Sequence, residues 1–225
     1  MLGDFYWLIV LLHLLLFVYW LGADIGVFYS ARYVQDQSLS LESRRTALRI
    51  MGWIDQLPRY CLVLMLPVGT TLAVASGALR FSGGALAVIW VVGFAWLAVV
   101  YAIHHFQGTP LADRLRSFDL VWRVSLVALL LFAGITGLMR TGPVITDWLA
   151  LKLLLFAALV FSGIMIRVFG KPIGPALRQI LSQGSNAELE AQLARGFTRT
   201  RPFVLAIWVL LLLTAYVGLT KPMLS

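Results

Sequence analysis

His13, Asp24 and Lys152 stand inside long apolar runs, and that placement makes them the first candidates for chemistry. An ionisable side chain at the centre of a membrane helix costs about 3 kcal/mol on insertion scales, so it is kept for a partner or a task. His13 has two readings. It is a packed, hydrogen-bonded histidine, or it is an axial haem ligand, since imidazole binds haem iron and helical bundles build such sites from inward side chains. Trp20 falls seven residues on and shares its face, where it packs on a porphyrin or fills core. Lys152 either snorkels to the head groups or faces the interior and pairs with an anion, such as a propionate or a substrate carboxylate. His13 and Lys152 lie about six and five residues into spans that run the same way. At 1.5 Å per residue both sit ~8–9 Å below their helix starts, at a shared depth.

Asp24 lies deeper in its span. It pairs with Arg59 across adjacent helices, or it serves as a proton relay. Asp55 with Arg59 and Asp119 with Arg123 are each spaced i,i+4 and can bond along their own helices. His104 and His105 are successive, so they point about 100° apart and cannot both serve one site. They are interfacial structure, or one of them is a ligand or proton shuttle. Met51, Met65, Met139 and Met165 are scattered, and the single cysteine, Cys61, builds neither a disulfide nor a metal site alone. The sequence carries no phosphate-binding loop, dinucleotide fingerprint, zinc-protease helix or nucleophile elbow.

The elements that hold these residues follow from composition. Of 225 residues, 60% are hydrophobic and 12% are charged, with mean hydropathy +0.89. That is about half the charged share of soluble domains. It excludes a soluble enzyme, a disordered chain and a disulfide scaffold. The net charge of +8 suits a basic fringe around membrane spans rather than nucleic-acid binding. About 20 apolar residues cross a bilayer as a helix. Six segments qualify, near 7–30, 56–78, 85–106, 119–139, 147–169 and 203–220. The expected fold is an all-α polytopic membrane helix bundle forming one domain over 1–225.

The first six residues carry Asp4 and no Lys or Arg, so the first span reads as a retained helix rather than a signal peptide. Arg32, Arg44, Arg45, Arg49, Arg114, Arg116, Lys171, Arg178, Arg195, Arg199 and Arg201 fall in loops on one side; Arg80, Arg140 and Lys221 fall on the other. The positive-inside rule then puts both termini on the outer side of a bacterial inner membrane. Two further stretches read as helices that do not span. One runs from a Ser40 cap and bends into the second span at Pro58. The other, around Gly184, is amphipathic and lies in the interface, ending before the last span.

The segment HLLLFVYWLGA, with His13, Trp20 and Gly22, is followed by Trp148, Leu149, Lys152 and Leu153, and later by a basic run entering the last span through Pro202. In this order the elements resemble the HemJ-type protoporphyrinogen IX oxidases and the related CopD-like membrane proteins. ESRRTALRIMGWIDQLPRY resembles that family's basic entry to its second helix. Three features depart from the pattern. Thr200 and Arg201 stand where the family has Asn-Glu, Arg32 follows Ala31 rather than a proline, and the spans near 85–106 and 119–139 are additional. The resemblance implies haem b, with His13 as iron ligand and Lys152 as a functional, catalytic group. It implies oxidation of a tetrapyrrole with electrons leaving through quinone. Copper handling of the CopD type is the alternative. A non-catalytic subunit of a larger membrane complex, or of a homo-oligomer, is a third reading, supported by the 12% aromatic content.

Overall fold

The computed structural model describes residues 2–223, with side chains from Phe5; Asp4 therefore lies outside the described side chains. Helices follow in order: α1 (Leu2–Gln35), α2 (Leu41–Ile54), α3 (Gln56–Ala75), α4 (Gly83–His105), α5 (Pro110–Leu138), α6 (Asp147–Phe169), α7 (Ile173–Gln183) and α8 (Ala187–Thr220). No strand is present among the described residues; a single bridge, Leu79 to Val144, ties the α3–α4 and α5–α6 loops together.

Six of these helices, counting α2 with α3 as one run, are long and apolar enough to cross a membrane. The expected all-α membrane bundle is thus the architecture found. The six spanning helices pack in chain order, α1 on α3, α3 on α4, α4 on α5, α5 on α6 and α6 on α8, and α8 closes the ring against α1. Leu62, Val63, Trp96, Leu126, Leu159, Val160 and Leu211 form its core. Outward faces carry Trp7 (68% exposed), Val91, Val121, Phe132 and Leu219, a surface suited to hydrocarbon. Close approach of α5 and α6 depends on Gly134, where a Cβ would lie 2.7 Å from Leu154 and 3.1 Å from the Ala150 carbonyl. Small residues at such crossings are the usual device of membrane helices.

Side-chain caps set several helix starts. Ser40 accepts from the Ser43 amide at 3.1 Å, Ser82 from Ala85 at 3.2 Å, Thr109 from Ala112 at 3.3 Å and Asn186 from Leu189 at 2.9 Å. Three boundaries differ from the sequence reading. The junction between α2 and the second span falls at Asp55, not at Pro58. Pro58 sits in the first turn of α3, where a missing N–H breaks no intrahelical bond. The amphipathic stretch after Gly184 does not stop before the last span; it continues through Pro202 as one 34-residue helix. Proline inside a membrane helix is tolerated where neighbouring helices support it, and Phe169 of α6 stacks on Phe203, the next residue of α8, with ring centroids 5.5 Å apart. The α5 helix also starts at Pro110, nine residues before Asp119, because Thr109 caps it and proline suits a first helical turn.

A second, smaller core gathers at the basic end of the bundle, where Val34 of α1 meets Ala176, Leu177, Ile180, Leu189 and Leu193 of α7 and α8. Arg44 of α2 is sealed into it at 2% exposure. Its guanidinium donates to both Glu190 oxygens, at 2.6 and 3.0 Å, and its Nε donates to the Val34 carbonyl at 2.8 Å. Ser185 donates to the same carboxylate at 2.7 Å. Arg44 is therefore not part of the basic fringe the loop count assigned to it.

Candidate functional site

The inner stripe of α1 runs Ile9, His13, Leu16 and Trp20, the i, i+4, i+7 rhythm of one helix face. His13 meets α3 at Gly69, where a Cβ would lie 3.4 Å from its Cε1 and 3.9 Å from its Nδ1. The ring therefore lies directly against the α3 backbone. Its Nδ1 is buried and has no hydrogen-bond partner among the described residues. Lys152 of α6 lies within coulombic reach of this ring. The lysine is held by α8: a Cβ at Gly218 would lie 2.8 Å from its Nζ. His13 is thus packed against α3 and Lys152 against α8. Trp20 sits below them at 4% exposure, edge-on to Phe156 with centroids 6.3 Å apart.

A second polar centre occupies the basic half of the bundle. Asp119 of α5 is completely buried. Its Oδ1 accepts from the Trp96 indole at 2.6 Å; its Oδ2 accepts from Arg123 Nε at 2.9 Å and from Arg167 Nη1 at 2.6 Å. The Arg123 guanidinium also lies 5.3 Å from the Trp96 ring centroid. Arg59 pairs with Asp55, the N-cap residue one turn back, and lies within coulombic reach of Asp119 and Arg167. Both i,i+4 pairs read from the sequence are formed. Trp96 and Arg167 were not singled out there. Trp96 reads as one more belt aromatic, and Arg167, two residues from the end of α6, reads as a snorkelling cation.

The expected Asp24–Arg59 pair is absent. Asp24 accepts from the Trp208 indole of α8 at 3.0 Å, while Arg59 is taken by Asp55, the residue that caps the start of its helix. Intrahelical reach wins because the i,i+4 partner needs no second backbone to be positioned. His104 and His105 close α4 at the basic end. His104 packs edge-on against Trp53, with its Nδ1 2.8 Å from Gln107 Nε2. His105 stacks on Tyr101. Gly69, which touches His13, lies 13 residues beyond Gln56, the first residue of α3, and Trp53 precedes that start. At 1.5 Å per residue the two histidine sites are therefore about 20 Å apart along the bundle.

The fold and these two buried centres define a multi-pass membrane helix bundle with polar chemistry sealed in its interior. The chain matches no family model, no curated protein and no solved structure.

Proposed function

We propose that the chain is an integral membrane haem protein of redox type, similar to the HemJ and CopD-like proteins, with haem b held at His13. The observation that carries this reading is the His13 ring, which lies against Gly69 with Nδ1 buried and free of any partner among the described residues. A buried imidazole nitrogen without a partner costs about 1–3 kcal/mol, and iron ligation would remove that cost. Lys152, the neighbouring cation, fits a propionate or the carboxylate of a tetrapyrrole substrate and would be neutralised by it. Haem so bound would supply a one-electron carrier between a tetrapyrrole and quinone. Gly69 keeps the ring's flank free of side chains and Gly218 gives the Lys152 ammonium its space. Copper handling has no comparable support, because no three His, Cys, Asp or Glu side chains gather among the described residues. The proposed setting is a bacterial inner membrane with both termini outside.

The test is a spectrum of the purified full chain after expression with haem supplied. A Soret band is expected in the wild type and not in His13→Ala. Lys152→Ala should keep most of the haem and shift its midpoint potential or lose turnover. A colourless wild type overturns the reading, and so does a His13→Ala protein with an unchanged spectrum.

A further inference from the structure

The arginine centre around Asp119 is incompletely satisfied among the described residues. Asp119 has filled both oxygens, one with the Trp96 indole and the other with Arg123 and Arg167. It has little left to offer a further donor. Arg123 is left with a buried Nη2 that has no partner among the described residues, on a side chain only 4% exposed. Two guanidinium groups thus share one carboxylate, and a third, Arg59, stands beside them. Arg59 answers to Asp55, so Arg123 and Arg167 are left with the single carboxylate of Asp119. Asp24 stands within coulombic reach of Asp55, but its carboxylate accepts from the Trp208 indole and does not bond Arg123. A buried guanidinium donor without a partner calls for an anion with spare acceptors.

Exposure rises in one direction through the centre. The side chains of Asp119 and Arg123 are sealed, Arg167 is 27% exposed, and Asp55 and Arg59 are 33% and 37% exposed. The open members sit within about a turn of the start of α3 and the end of α6. That is the end of the bundle bearing the exposed Trp53 and Tyr101, aromatic residues of the kind that settle at the head-group layer. We propose that this centre is a binding site for a phosphate-type oxyanion, supplied by the head group of an anionic phospholipid, which enters between Arg59 and Arg167 and accepts from Arg123 Nη2. Arginine's planar fork suits phosphate oxygens, and anionic head groups lie at this depth. The proposal is independent of haem at His13.

The experiment uses the full chain in neutral detergent and follows its thermal unfolding while phosphatidylglycerol, phosphatidylcholine or inorganic phosphate is titrated in. Phosphatidylglycerol should raise the midpoint saturably in the wild type and phosphatidylcholine should not. Arg123→Lys keeps a cation for Asp119 but loses the unpartnered nitrogen, so its apparent affinity for phosphatidylglycerol should fall roughly tenfold. Arg167→Gln, at the more exposed mouth, should weaken binding as well and stands in should Arg123→Lys not fold. Arg116→Gln removes an exposed surface cation paired with Asp113 and should leave the titration unchanged. Inorganic phosphate giving the same shift, lost in the same two variants, would support the oxyanion site and assign it to free phosphate. The site is overturned by equal phosphatidylglycerol shifts in the wild type and in whichever of the two variants folds. Stabilisation by phosphatidylcholine to the same degree, or loss of the effect in Arg116→Gln alone, overturns it too.

Discussion

A carboxylate inside this bundle bonds first to what its own helix offers. Asp55 takes Arg59 and Asp119 takes Arg123, each one turn along. Asp24 has no cation at that spacing on α1 and turns to the Trp208 indole on α8. This bond carries a cost if broken on one side only. Trp208→Phe removes the donor and leaves a part-buried acceptor without its partner, at about 1 kcal/mol. Asp24→Asn keeps an acceptor oxygen for the indole and should cost less. A double-mutant cycle in thermal unfolding should show coupling between Asp24 and Trp208 and additivity between Asp24 and Arg59; coupling of Asp24 to Arg59 instead would restore the cross-helix pair. The helix-local pairs were legible because i,i+4 spacing is visible in a string of residues. Arg167 was not, because its bond to Asp119 exists only once α5 and α6 pack side by side. Arg44 was misplaced for the same reason: a basic residue in a loop looks like fringe until Glu190, 146 positions later, is known to reach it.

At the level of elements, the spans were plain from apolar length and the joints were not. The last span was expected near 203–220, apart from the amphipathic stretch before it, yet α8 runs unbroken through Pro202 and carries Glu190 down to Arg44. One rigid element thus links the membrane ring to the small core of α2 and α7. Glu190→Gln should release that link. It strands the Arg44 guanidinium at a site with 2% exposure, and removing one partner of a buried pair costs about 3–5 kcal/mol. The expected result is a lowered unfolding midpoint together with early proteolysis between α7 and α8, near Gly184. Replacing both partners, as Arg44→Met with Glu190→Leu, should recover much of the loss, since apolar residues of similar volume avoid the unpaired charge. If Glu190→Gln matches the wild type in both assays, the pair does not hold the α8 base in place.

At the scale of the whole molecule, the ring of six spanning helices returns the chain to the side from which it started, so α1 begins and α8 ends at the same face. The positive-inside rule, applied to the basic segments, predicts which face that is. Removing the buried Arg44 from the count leaves the asymmetry intact, because Arg45, Arg49, Arg114, Arg116, Lys171, Arg178, Arg195, Arg199 and Arg201 remain against Arg80, Arg140 and Lys221. The two centres lie toward opposite ends of the bundle; in the predicted orientation His13 and Lys152 would fall in the outer half and the Asp119 arginines in the inner half. Thiol accessibility decides this orientation cleanly, since the native Cys61 is 5% exposed and should stay silent in the folded protein. Gln37→Cys places a thiol in the exposed α1–α2 loop and Thr141→Cys one in the exposed α5–α6 loop, at opposite ends of the bundle. In intact spheroplasts a membrane-impermeant maleimide should modify Thr141→Cys and spare Gln37→Cys, and both should react after the membrane is opened. Modification of Gln37→Cys alone in closed cells would invert the protein, place the arginine centre toward the outer leaflet and put His13 on the cytoplasmic side.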